Sequence, residues 1–304
     1  MIEATELSPG FGAELGGVDL ARPVDAATAE DLRRSLWRHK VIRIRGQNPT
    51  PDQYLAFAQA FGELEPFFIG SYNLESHPQI YVLSNVRRDG VAIGRDGAGT
   101  HWHSDSTFVE RPSSITFLHA VAVPEQGGDT LFIDTVAAYE RLDDATKALI
   151  DGRRAVHRYQ KKEFILSGER DLPAEERAEI ERLQRLRAEE DREAPPSATA
   201  KRANTEPDRL QPIARTHPIT GKKALYLNDE MCVGIDGMTE PDGMALLRRL
   251  CHEATAPEHI LRYEWKMGDI VAWDNAATIH TATFTRPEEA RIMHRLTVKG
   301  DVPF

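Results

Sequence analysis

In the stretch Thr100-His101-Trp102-His103-Ser104-Asp105-Ser106-Thr107-Phe108, an imidazole (His103) and a carboxylate (Asp105) stand two residues apart. A second imidazole, His280, ends the downstream run Trp273-Asp274-Asn275-Ala276-Ala277-Thr278-Ile279-His280. Two histidines and one carboxylate on one face of an iron ion form a facial triad, which leaves coordination positions open, as an oxygen-activating enzyme needs. The same donors can hold zinc, so a zinc hydrolase stays open at this level. His-x-Asp alone is a weak signal among eleven histidines. If the segment is a strand, residues i and i+2 point to one side, so His103 and Asp105 face one ion and Ser104 turns away. His280 must then come from a strand packed beside them.

Two arginines could complete such a site. Arg291, Met293, Arg295 and Thr297 alternate with Ile292, His294, Leu296 and Val298 along a strand-like run. Four residues of strand put the two arginine Cα atoms roughly 13 Å apart on one face. If that face is interior, each guanidinium needs an anion, because an unpaired buried charge is expensive. Guanidinium meets a carboxylate in bidentate geometry. The plainer alternative is a pair of surface ion-pair residues. His294, on the opposite face, reads as packed or solvated, and Trp273 as core or as a wall of the metal pocket.

The elements that must carry these residues are mostly strands. Strand patterns occur at Val41–Arg45, Gln79–Leu83, Ser114–Val121, Asp129–Ile133, Ala224–Leu227, Asp269–Trp273 and Arg291–Val298. A helix carries Leu32, Leu36 and Trp37; another starts at the capping-box sequence Thr50-Pro51-Asp52-Gln53 and carries Tyr54, Phe57 and Phe61. Val136–Ile150 reads as one or two helices ended by Gly152, and Pro241–Ala254 as one with Leu246, Leu247 and Leu250 inward. The glycine-rich run Gly90–Gly99 reads as a loop leading into the metal segment. Leu172–Glu193 is dense in Glu and Arg and runs into a Pro/Ala/Ser linker. It reads as a solvated helix plus loop, or more sharply as a lid. Short strands with a few helices suit a two-sheet β core with helices outside.

At 304 residues, 40% of them hydrophobic, the chain can bury a sizeable core. A net charge of −10 argues against a nucleic-acid partner. Two cysteines, Cys232 and Cys251, suggest neither a disulfide framework nor a thiolate metal site, so a cytoplasmic location is the expectation. No apolar run is long enough to cross a bilayer.

The motifs together are more specific than any one of them. Trp102–Phe108 resembles the metal-binding segment of the taurine dioxygenase and 2,4-dichlorophenoxyacetate dioxygenase family. Trp273-Asp274-Asn275 through His280 to Arg291-Ile292-Met293-His294-Arg295 resembles its C-terminal signature. Gly127-Gly128-Asp129-Thr130 is similar to its middle motif, and Arg215-Thr216-His217-Pro218 with Gly221 and Leu225 to another stretch. The resemblance implies a mainly β fold with flanking helices, the double-stranded β-helix or jelly roll. It implies a single domain over 1–304 with a variable insert at about 157–212. It implies Fe(II) held by His103, Asp105 and His280, with 2-oxoglutarate and O2 as co-substrates. Arg291 matches the residue holding the distal carboxylate of 2-oxoglutarate, assisted by Thr130. Arg295 matches the residue gripping the substrate's acid group.

The activity so implied is hydroxylation of a small anionic substrate such as a sulfonate, aryloxyalkanoate or substituted amino acid. Cleavage follows where the hydroxylated carbon bears oxygen, nitrogen or sulfonate. Related halogenases carry a small residue in place of Asp105, which argues against halogenation. Desaturation or isonitrile formation on an amino-acid derivative is the alternative on the same scaffold, and a non-catalytic metal-binding jelly roll the alternative of another class. Gly99 stands where the taurine enzyme has asparagine and Met231 where it has an aromatic residue, which points away from taurine itself. Phe67, Phe68 and Tyr72 could line a substrate pocket, and Lys161 and Lys162 could reach over an anion, although core packing and solvation are the commoner fates of such residues. Relatives are often dimers or tetramers, so a homo-oligomer is expected.

Overall fold

The computed structural model describes residues 2–66, 72–159, 165, 166, 178, 182 and 207–304. Among them a nine-stranded sheet faces a three-stranded one. The large sheet runs Glu3–Ser8, Phe11–Gly16, Val41–Ile44, Ile270–Asp274, Ile115–Ala122, Ile292–Val298, His77–Ser84 and Asn73–Leu74 in space, with Leu64–Glu65 also pairing with Ile292–Val298. The small sheet is Ile260–Tyr263, Thr130–Asp134 and Thr278–Ala282.

Side-chain alternation divides the core. Phe117, Ile42, Ile270 and Leu296 leave the large sheet on one face and pack against Leu32 and Leu36 of helix Ala26–His39 and Tyr54 and Phe57 of helix Pro51–Gln59. Leu118, Val271, Trp273 and Met293 leave the other face and meet Phe132, Tyr263 and Trp265 in the space between the sheets. The period of two therefore gives the large sheet a helix-covered face and a sheet-covered face. The expected capping box is present at Thr50 and Gln53. Val136–Ile150 divides into two helices, Thr135–Arg141 and Asp144–Ile150, each capped by an aspartate side chain, Asp134 and Asp143. The N-terminal hairpin Glu3–Ser8/Phe11–Gly16 carries no strong strand pattern; its first strand is an exposed edge, so only Phe11, Gly12, Ala13 and Leu15 are buried.

The glutamate- and arginine-rich stretch read as a lid lies almost wholly outside the described residues, as do Phe67, Phe68, Lys161 and Lys162. Its flanks are described. Arg154–His157 and Arg209–Pro212 pair antiparallel, from Arg154↔Pro212 to His157↔Arg209. Arg158 Nε donates to Asp208 at 2.7 Å beyond the last pair. The chain thus leaves the sheet at 158 and re-enters at 208 side by side.

Two imidazoles in this framework, His157 buried and His294 half-buried, have a consequence for acid stability. Burial holds His157, beside Cys232 Sγ at 3.5 Å, down at about 3. Burial and the neighbouring His119 hold His294 at about 4. In the unfolded chain both take a proton near the ordinary 6.5. Below that pH the unfolded state binds more protons than the folded one, so folding stability falls as pH drops from 6.5 through about 4. Denaturant midpoints measured across this window will decline, and a His294→Gln protein will show a shallower decline. An unchanged slope in that variant would remove His294 from the account.

Candidate active site

The two histidines, far apart in sequence, lie next to each other through the backbone. The His103 N–H donates to the His280 carbonyl at 3.0 Å, and the His280 N–H to the His103 carbonyl at 2.8 Å. This isolated antiparallel bridge adds one residue to the edge of the small sheet, whose strand Thr278–Ala282 carries His280. The rings end 4.2 Å apart, centroid to centroid. His103-x-Asp105 does not form the expected strand. Only His103 is bridged; residues 105–108 form a turn, with Ser106 at φ 58°. It is the turn that swings Asp105 back toward the imidazoles. Ser104 is turned away as expected, its hydroxyl donating to the Asn275 carbonyl at 2.6 Å.

One donor atom from each of His103, Asp105 and His280 lies within 4.8 Å of the others. His103 Nε2 is 3.7 Å from Asp105 Oδ1, and His280 Nε2 is 4.0 Å from Oδ2. His103 Nδ1 lies 2.7 Å from the His101 carbonyl. A carbonyl only accepts, so Nδ1 carries the proton and Nε2 presents its lone pair to the cluster. Burial lowers the affinity of both rings for a second proton, most strongly at His280, which sits against Trp273 at 4.6 Å. Trp273 is thus both core and pocket wall. Burial works against the charge on Asp105, but Arg295, His280, His103 and the Thr116 hydroxyl outweigh it and hold the carboxyl well below the usual range. Two neutral imidazoles and one ionised carboxylate, with Asp105 and His280 buried and His103 partly so, are the donor set of a facial triad.

A residue that sequence reasoning missed fixes the carboxylate. Thr116 Oγ1 donates to Asp105 Oδ2 at 2.6 Å and accepts from Asn275 Nδ2 at 2.9 Å. Asn275 Oδ1 in turn accepts from the Asp105 backbone N–H at 3.3 Å and from Trp273 Nε1 at 3.1 Å. The only sequence signal was the Trp273-Asp274-Asn275 motif; nothing marked Thr116, which looks like any threonine on a buried strand. Groups that orient a metal ligand typically contribute 10–100-fold to metal affinity. A Thr116→Val protein will therefore bind Fe(II) or Mn(II) about tenfold or more weakly, measured by metal titration, with its melting temperature reported alongside. Unchanged affinity would make this hydrogen-bond chain purely structural.

Both arginines come to this region by different routes. A bulge falls between Ile292 and Met293 in the pairing with Ile115–Ala122. Arg295 Nη2 lies 2.8 Å from Asp105 Oδ1. Arg291 precedes the bulge, and its Nε donates to the Gly128 carbonyl at 3.2 Å. Burial depresses the Arg291 guanidinium to about 10, against the pull of Asp129 and Asp96. Gly128 is needed there: at φ 66°, a Cβ would come within 3.1 Å of Arg291 Cδ. Thr130, two residues on, is buried and accepts from Trp265 Nε1 at 3.0 Å. A cavity of about 70 Å³ borders Arg291, Arg95, Asp96, Thr100 and Ala282. His294 is packed, its ring against His119 and its carbonyl accepting from Tyr54 Oη at 3.1 Å.

Comparison with known proteins fits this geometry. The profile of the family described as taurine catabolism dioxygenase TauD, TfdA family, matches residues 3–297. The chain belongs to that family. It is 34% identical to the alpha-ketoglutarate-dependent sulfate ester dioxygenase of Pseudomonas putida, over 96% of this chain and 88% of that one. It is 30% identical to the alpha-ketoglutarate-dependent 2,4-dichlorophenoxyacetate dioxygenase of Cupriavidus pinatubonensis, over 99% and 98%. Among solved structures, a taurine dioxygenase from Burkholderia xenovorans superposes with a TM-score of 0.75 at 30% identity, covering 99% of this chain and 92% of that one. AAD-2, solved with Mn(II) and N-oxalylglycine, gives 0.74 at 28%, covering 100% and 99%. The fold is the jelly roll of these enzymes, and the protein is a dioxygenase that uses Fe(II), 2-oxoglutarate and O2.

Proposed function

We propose that His103, Asp105 and His280 hold the Fe(II), that Arg291 and Thr130 seat the distal carboxylate of 2-oxoglutarate, and that Arg295 receives the acid group of a small anionic organic substrate. The observation that carries this reading is the largely buried cluster of two neutral imidazoles and a carboxylate with a guanidinium 2.8 Å from that carboxylate. Bound there, Fe(II) with 2-oxoglutarate and O2 would supply an oxidant for converting a substrate C–H to C–OH, one oxygen atom going to the substrate and the other into succinate as 2-oxoglutarate loses CO2. This chain's residues do the rest. His101 fixes the His103 tautomer through its carbonyl. Trp273 and Phe132 flank His280 and exclude water. Tyr72 and Tyr81, in edge contact at 6.3 Å, give an aromatic wall beside Arg295, whose strand pairs with Tyr81.

Sulfate esters, sulfonates and aryloxyalkanoates are the substrate classes favoured by the named relatives and by an anion-seeking guanidinium in an aromatic setting. Hydroxylation next to a sulfate or ether oxygen gives a hemiacetal-like product that collapses to a carbonyl compound and the freed acid or phenol. At Gly99, φ 75°, a Cβ would lie 3.1 Å from His103 Cε1. A side chain there presses on the metal-facing ring, which supports a substrate other than taurine. We read the chain as one domain with a variable insert at about 157–212, acting in the cytoplasm with both cysteines reduced. A homo-oligomer is part of this reading. No helix among the described residues is long and apolar enough to cross a membrane.

Succinate release, screened across alkyl sulfates, alkanesulfonates, aryloxyalkanoates and N-substituted amino acids, tests the reading. One anionic class will raise turnover above the substrate-free rate, with product masses showing oxygen gain or cleavage. Loss of two hydrogens instead would favour desaturation, and a neutral analogue accepted as well as the acid would remove Arg295 from its role.

A further inference from the structure

The two oxygens of Asp105 are held by unlike partners. Oδ2 accepts the Thr116 hydroxyl at 2.6 Å, and Thr116 is itself held by Asn275 at 2.9 Å, so this arm is built into the sheet. Oδ1 meets Arg295 Nη2 at 2.8 Å, at the end of a long side chain. Oδ1 is also the oxygen nearest His103 Nε2, at 3.7 Å, so it faces the gap between the donors that a metal would fill. A guanidinium bound there draws charge from the same carboxylate that must hold a divalent cation. Arg295 is nearly buried, its side chain 11% exposed, so little water screens the conflict.

We infer that Arg295 couples the substrate's anion to the metal: it competes with the cation for Asp105, and an anion that engages the guanidinium relieves that competition. This rests on the site assignment proposed above. Thr116 is the fixed arm of the clamp and Arg295 the exchangeable one. Coupling between two ligands is reciprocal, so an anion that tightens metal binding is itself bound more tightly by the metal-loaded protein. The protein thereby favours the state with both metal and substrate over the state with metal alone. Arg291 is the internal comparison: a second arginine close by whose Nε contacts Gly128 rather than Asp105.

Mn(II) affinity without 2-oxoglutarate tests this, read from the electron paramagnetic resonance signal of unbound Mn(II). Arg295→Gln will bind Mn(II) about five- to tenfold more tightly than wild type, at the low end of usual coupling strengths. Arg295→Lys will bind it with intermediate affinity, and Arg291→Gln will match wild type to within about twofold. Sulfate and acetate, added against chloride at equal ionic strength, will tighten Mn(II) binding in wild type and leave Arg295→Gln unmoved. The inference is overturned if Arg295→Gln binds Mn(II) no better than wild type, or if Arg291→Gln tightens it equally, since a nonspecific loss of positive charge would then suffice. If Arg295→Gln does not fold, Arg295→Lys decides, with unchanged affinity counting against the inference. Wild-type protein that binds no Mn(II) at all would instead remove the site assignment beneath it.

Discussion

An Asp105→Ala protein will lose substrate-coupled succinate release by at least about a hundredfold, more than the usual effect of losing a group that merely orients a ligand. The change removes the single ionised donor of the cluster, and both imidazoles are left without the carboxylate that lies 3.7 and 4.0 Å from them. It also strips Arg295 of a partner at 2.8 Å, so some loss of folding stability will accompany it. Asp105→Asn separates the two effects, because it keeps the volume and the Thr116 hydrogen bond while discarding the charge. Both variants will be far weaker in Fe(II) binding, and the Asn variant will melt closer to wild type. Coupled hydroxylation at the normal rate in either one would end the assignment of Asp105.

Arg291→Gln will act on the co-substrate alone. Truncating one partner of a buried, hydrogen-bonded charge pair costs about 2–5 kcal/mol, and each 1.4 kcal/mol is tenfold. The expected result is a KM for 2-oxoglutarate raised by about a hundredfold, with kcat recovered to within a few fold at saturation. The position supports this separation: Arg291 contacts the Gly128 carbonyl at 3.2 Å, beyond the bulge and away from Asp105. Arg291→Lys will restore only part of the affinity, since a point charge cannot reproduce the guanidinium fork. A kcat loss without a KM change would move Arg291 from co-substrate binding to the reacting centre.

Residues with a strong periodic or capping signal could be read in the sequence. Strand Ile115–Ala122 and helices Pro51–Gln59 and Glu240–Ala254 fall within a residue or two of their expected bounds, because burial there is set by local pattern. The proposed metal donors were readable as candidates because imidazole and carboxylate chemistry marks them wherever the chain carries them. The local geometry at Asp105 was not. A turn and a strand both present residues i and i+2 toward one point, and the positive φ of Ser106 that distinguishes them falls on a residue with no special sequence mark. Thr116 was invisible because its role depends on a strand ordering, Ile270–Asp274 beside Ile115–Ala122, that arises only in the assembled sheet. The Arg295–Asp105 contact was hidden for the same reason: the resemblance gave Arg295 an external anion, whereas the folded chain also offers it an internal one. Exposed edges such as Glu3–Ser8 carry little hydrophobic information, which is why that hairpin left no trace in the pattern.

The most direct test is an anaerobic absorption spectrum of the wild-type protein titrated with Fe(II) and then 2-oxoglutarate. A visible charge-transfer band will appear only when both are present, will be absent in Asp105→Ala, and will need about a hundredfold more 2-oxoglutarate in Arg291→Gln. No band in the wild-type protein with both ligands at saturation, or an undiminished band in Asp105→Ala, would contradict the placement of the iron at His103, Asp105 and His280.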